Sequence, residues 1–145
     1  MSDDELKARL AIGDLLARCA QAGDARKANV YAACFAPDGV LELADARHDG
    51  REAIRAWMAA PSVIPQRTDR PAGFVSHHIT TSRIDVAGPD SATGRIYWLV
   101  TSPAGIDHNG YYDDSYVRSE GAWLIVHRRP RTLWVAPDSL IHGRG

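Results

Sequence analysis

The hydrophobic pattern of this chain changes period once, at Phe74, and no other feature constrains the fold as much. Ahead of Phe74, apolar residues recur at helical spacing. Beyond it, extended segments alternate with turn residues. "FVSHHITTSRIDV" stops at "AGPD", "SATGRIYWLVTS" at "PAGIDHNG", "YYDDSYVR" at "SEG" and "AWLIVHRRPRTLWV" at "APD". Four long strands with short turns predict an antiparallel meander. Helices followed by a meander predict an α+β fold with the helices on one face of the sheet.

In the helical part, Ser2 and Glu5 have capping-box spacing, and Leu6, Leu10, Ile12, Leu15, Leu16 and Cys19 form the expected inner stripe of a first helix broken at Gly23. A second helix is expected over 26–35, with Val30, Ala33 and Cys34 inside, followed by a short strand at "VLEL" (40–43). "DGREAIRAWMAA" predicts a third helix with Ile54, Trp57 and Met58 on one side. The stretch 61–73, punctuated by Pro61, Pro65, Pro71 and Gly73, is long for a structureless connection and reads as a lid or binding loop. With no repeat or composition break, residues 1–145 read as a single domain.

Composition removes several function classes. The net charge is −1, and the strongest basic cluster, "HRRPR" at 127–131, is short and strand-like, which argues against nucleic acid as a partner. No apolar run approaches the ~18 residues a bilayer span needs, and "MSDDELKARL" is acidic where a signal peptide is basic. Cys19 and Cys34 lack C-x-x-C spacing, so neither a disulfide framework nor a zinc site is expected, and a cytoplasmic setting fits. There is no H-E-x-x-H spacing, Gly-rich phosphate loop or G-x-S-x-G elbow, so neither a metal nor a cofactor is expected.

His77 and His78 are adjacent in a strand, so their side chains point to opposite faces and only one can face the interior. An imidazole that faces a pocket is the natural base near neutral pH.

Three segments, "GDARKANVYAACFAPDGVLEL", "HHITTSRIDV" and "GYYDDSYVRSEGAWLIVHRR", resemble the SnoaL-like branch of the NTF2-like superfamily, over roughly residues 6–134. The resemblance implies a cone in which three N-terminal helices cap a strongly curved antiparallel sheet around an apolar pocket. Relatives include polyketide cyclases, scytalone dehydratase, a bile-acid dehydratase and a hexachlorocyclohexane dehydrochlorinase. By the same resemblance Asp24 and His77 match a catalytic Asp–His pair, with His77 inside the cone and His78 outside.

The resemblance also implies a set of pocket residues. Tyr112 matches a position that faces the substrate, and Cys19 stands where the bile-acid dehydratase has a tyrosine. A second acid–base residue of the dehydratases falls near Ser102. His127 matches a basic pocket residue of the dehydrochlorinase, although a one-residue bulge would exchange its face with that of Arg128. Trp57 and Trp98 are expected to line the pocket or the core. Asp114 is expected to pair with an arginine such as Arg128.

The function so implied is a cofactor-independent lyase or isomerase of the dehydratase or cyclase type. It would act on a small hydrophobic carbonyl or ring compound, with His77 as general base and Asp24 orienting it. Two alternatives stand beside it. One is a non-catalytic binding or assembly subunit like the β subunits of ring-hydroxylating dioxygenases, in which the Asp–His pair only satisfies itself. The other is an epoxide hydrolase, whose Arg-x-Asp would fall on Arg95-Ile96-Tyr97, where the carboxylate is missing. The apolar outward positions Leu99, Val117, Leu124 and Val126 predict a homodimer through the outer sheet face.

Overall fold

The computed structural model describes residues 1–61 and 73–141. Helix α1 (Asp3–Asp24) opens with the expected capping box: the Glu5 amide donates to Ser2 Oγ at 3.2 Å and the Ser2 amide to Glu5 Oε2 at 3.0 Å. Its buried stripe is Ala8, Ile12, Leu15, Leu16, Cys19 and Ala22. Leu6 and Leu10, expected inside, lie off that stripe and face solvent. The helix runs one residue past Gly23, and the turn that ends it places Arg26, not a glycine, at φ +55°.

Helix α2 (Ala28–Ala33) is shorter than expected, and Val30 and Ala33 are exposed. Pro37 gives the reason: it disfavours helical backbone at Ala36, so Phe35 begins a strand instead of ending a helix. Strand β1 (Phe35–Glu42) therefore extends well upstream of "VLEL", and a short strand β2 (Arg47–Asp49), not foreseen in the sequence, pairs with it. Helix α3 (Arg51–Ala59) follows, with Ile54 and Met58 buried.

The remaining strands are β3 (Ser76–Val86), β4 (Ser91–Ser102), β5 (Gly105–Ser119) and β6 (Ala122–Val135). The six strands form one sheet in the order β2-β1-β6-β5-β4-β3. The meander β3–β6 is antiparallel throughout, whereas β1 lies parallel to β6. The expectation of a wholly antiparallel sheet is corrected at that seam. Strands β1 and β6 are far apart in sequence, and such a pairing leaves no turn signal to read.

Bulges interrupt the ladders at 79–82 in β3, at Asp107 in β5, and at Val126 and Leu133 in β6. Each inserts a residue, bends its strand and raises the local twist, which curves the sheet. Helix α1 packs on the concave side against β3 and β6, and α2 and α3 pack on each other and on β1. Ile12, Leu15, Phe35, Leu41, Ile54, Ile96 and Ile125 are essentially fully buried between the layers, each contributing about 1.5–3 kcal/mol of transfer free energy. The stretch 61–73 read as a lid lies, apart from its two end residues, outside the described residues. No helix among the described residues is long and apolar enough to cross a membrane.

Candidate active site

Asp24 closes α1, whose last turn carries no basic residue. A carboxylate at a helix C-terminus opposes the macrodipole, at a cost of about 0.3–1 kcal/mol. The opposing gain comes from β3. The His77 amide donates to Asp24 Oδ2 at 2.9 Å, and the His77 ring places Nδ1 2.6 Å from Asp24 Oδ1. Backbone and ring of one residue thus grip both oxygens, which fixes the imidazole against the helix end. The pair is mostly buried, with side-chain exposures of 30% for His77 and 18% for Asp24.

Strand register sets which histidine faces inward. His77 lies opposite Val100 and Ile79 opposite Trp98, both on the buried face of β4, while His78 lies opposite Leu99. The exposed His78 ring instead meets the Thr101 hydroxyl at 3.0 Å.

The ring of His77 stands 6.0 Å from that of Trp98 and 6.4 Å from that of His108, the latter edge-on. His108 is a residue the sequence reading passed over as part of a turn. The turn between β4 and β5 is only Pro103-Ala104, so Gly105 already starts β5 and His108 lies within it. The tetrapeptide Ser102-Pro103-Ala104-Gly105, with proline second and glycine fourth, carried that signal. The bulge at Asp107 then breaks the alternation, so Asp107 and His108 are buried side by side, with His108 Nδ1 2.7 Å from Asp107 Oδ1. Two His–Asp pairs therefore meet at one point of the inner face.

Trp98 also packs on His108 at 5.4 Å and on Tyr112 at 5.6 Å. It can do so because Gly110 faces it: a Cβ there would fall 2.7 Å from the indole and 2.1 Å from the Arg131 carbonyl. Tyr112 lies on the same strand face as Gly110, Asp114 and Tyr116. Burial first, opposed by the Arg128 charge, raises its phenol well above the usual range and keeps it a proton donor.

Arg128 faces inward and His127 does not. The bulge at Val126 exchanges their faces, which corrects the placement of His127 in the pocket. His127 meets Glu42 at 3.0 Å and is half exposed. Arg128 donates two bonds to Asp114 (2.9 and 2.7 Å), stacks over the Tyr112 ring at 4.0 Å and donates to Cys19 Sγ at 3.4 Å. Burial works against its charge, but the Asp114 carboxylate outweighs burial and holds the guanidinium firmly protonated. Tyr116 adds a bond to the same carboxylate at 2.7 Å.

The other expected site residues fall as follows. Cys19 is fully buried beneath Arg128, and its bond with Cys34, with burial, keeps it a thiol. Ser102 shares the inner face of β4, and its Oγ accepts from the Ala104 amide at 3.2 Å. Trp57 packs on Tyr31 and His48 and has no ring contact with the cluster around Trp98. Among the described residues, no three His, Cys, Asp or Glu side chains are grouped to hold a metal.

The model of the SnoaL-like domain matches residues 4–129 of this chain. The chain belongs to the SnoaL-like family. Its fold recurs in Rv3472 of Mycobacterium tuberculosis, a protein of unknown function, at 30% identity and a TM-score of 0.77, covering 94% of this chain and 78% of that one. A protein from Novosphingobium aromaticivorans provisionally named a scytalone dehydratase superposes with a TM-score of 0.80 at 22% identity, over 99% of this chain and 94% of that one. A hexachlorocyclohexane dehydrochlorinase from Novosphingobium barchaimii gives 0.77 at 22% identity, over 99% of both chains. Among curated proteins, none matches by sequence. At these identities, the last two likenesses speak for the SnoaL-like fold alone.

Proposed function

We propose that this SnoaL-like protein is a cofactor-independent lyase that eliminates water or another leaving group from a small hydrophobic carbonyl or ring compound. One observation carries the reading: two buried-face imidazoles 6.4 Å apart, each with Nδ1 on its own carboxylate, beside an indole and a phenol. An aspartate on Nδ1 orients an imidazole and stabilises the imidazolium that forms when the ring takes a proton. His77 takes the proton from carbon, and Asp24 holds its ring in place. His108 gives a proton to the departing group, while Tyr112 steadies negative charge that develops on a carbonyl oxygen. Proton removal and leaving-group protonation then proceed from separate groups, so that H–C–C–X yields C=C and HX. The names of two relatives, a dehydratase and a dehydrochlorinase, both denote eliminations and support the same class.

The test is a panel of small cyclic β-hydroxy ketones and halogenated rings, followed in D2O by proton NMR. Loss or exchange of the carbon-bound proton with the wild-type chain is expected. No exchange and no product across the panel would count against the reading.

The half-buried Leu99, Val117, Leu124 and Val126 on the convex face support a homodimer across that face. Light scattering at micromolar concentration is expected to give twice the chain mass, and the mass of one chain would refute the pairing.

A further inference from the structure

The bulged residue of β5 does more than sit beside His108. Asp107 has no exposed side-chain surface and, among the described residues, makes three polar contacts besides the one to that ring. Its Oδ1 accepts from the Ser139 hydroxyl at 2.7 Å, its Oδ2 from the Leu140 amide at 2.8 Å, and its carbonyl oxygen from the Ala136 amide at 2.8 Å. All three donors belong to the segment after β6. That segment is packed down: Ala136, Ser139, Leu140 and Ile141 are all buried, and the Ile141 amide donates back to Ser139 Oγ at 3.2 Å.

We propose that Asp107 is a positioning residue for His108, and that the C-terminal segment 136–141 sets it by holding both of its oxygens. The inference rests on the two-imidazole reaction above and adds what governs one of its two rings. A carboxylate can rotate about its last bond, so a single contact to a ring would not fix the ring plane. Here Leu140 immobilises one oxygen and Ser139 the other, so the oxygen facing Nδ1 is fixed in space and the imidazole with it. With Nδ1–H donating to Asp107, the neutral ring is the Nδ1–H tautomer. The bulge makes this possible, because in a regular strand Asp107 and His108 would face opposite sides. Anchoring by 136–141 also means that order in that segment reaches His108 through the Asp107 side chain.

The test reads the ring directly. NMR of protein carrying 15N-labelled histidine, at a pH where the ring is neutral, reports which nitrogen bears the proton. Wild type is expected to show the Nδ1–H form for His108, and Asp107→Asn to lose that preference. Its kcat is expected to fall about 10²-fold, the order that a small misplacement of a reacting group costs, with KM little changed. Ser139→Ala keeps the carboxylate and removes one anchor; it is expected to broaden the His108 ring signals and lower kcat several-fold, and it decides the matter if the Asp107 variant does not fold. An unchanged tautomer and unchanged kcat in folded variants would overturn the inference. The tautomer needs no substrate, so its outcome is separate from that of the reaction reading: unaltered turnover in His108→Gln would defeat the latter and leave the former to the NMR.

Discussion

The rings of His77 and His108 meet edge-on at 6.4 Å, and each turns its Nδ1 to a different aspartate. Each imidazole is thereby oriented by its own carboxylate, as the proposed division between a base and an acid requires. His108→Gln is expected to lower turnover by about 10²–10⁴ for a substrate that loses hydroxide, which needs a proton, and far less for one that loses halide. Rates across a leaving-group series check this. An equal loss for both classes would remove His108 from the protonation step.

The Arg128–Asp114 pair tests the wall of the site. Both side chains are almost wholly buried, and each leaves an uncompensated charge if the other is removed. Asp114→Ala is therefore expected to cost about 3–5 kcal/mol in urea unfolding, and the double substitution Asp114→Leu with Arg128→Met to recover much of it. A cost below about 1 kcal/mol for the single variant, the level of an exposed pair, would contradict the placement.

Acid stability follows from Asp107. Burial alone would raise its carboxyl, but the bonds from His108, Ser139 and the Leu140 amide together hold it below the usual range. The folded chain thus keeps this group ionised to a lower pH than the unfolded chain does. Its contribution is complete above the unfolded value of about 3.9 and is lost as pH falls through the folded value. The difference in melting temperature between wild type and Asp107→Asn is expected to shrink between about pH 7 and about pH 2.5. A difference that stays constant over that range would contradict the assignment.

Much of this was legible in the sequence, and what was not has definite physical causes. The helix-to-strand switch and the capping box at Ser2 rest on local pattern, which a single sequence carries, whereas periodicity sets His77 and His78 on opposite faces and the family resemblance turned His77 inward. The bulges are where periodicity stops informing. An inserted residue at Val126 exchanges His127 with Arg128, and one at Asp107 places two adjacent side chains inside together. The composition of "PAGIDHNG" favoured a long turn over the short one that Pro103 and Gly105 specify, and His108 was lost from view with it. The parallel seam between Phe35–Glu42 and β6 has no local signature at all.

The central claim is that His77 is the base of an elimination and Asp24 its support. The direct measurement is turnover per folded molecule, with melting temperature, on His77→Ala and Asp24→Asn. The account predicts a fall in kcat of about 10²–10⁴-fold for His77→Ala, and a marked fall for Asp24→Asn, whose amide supplies no charge to the imidazolium. A pair that serves only stability would lower the melting temperature and leave turnover of the folded fraction intact. Unchanged kcat in properly folded His77→Ala would contradict the account.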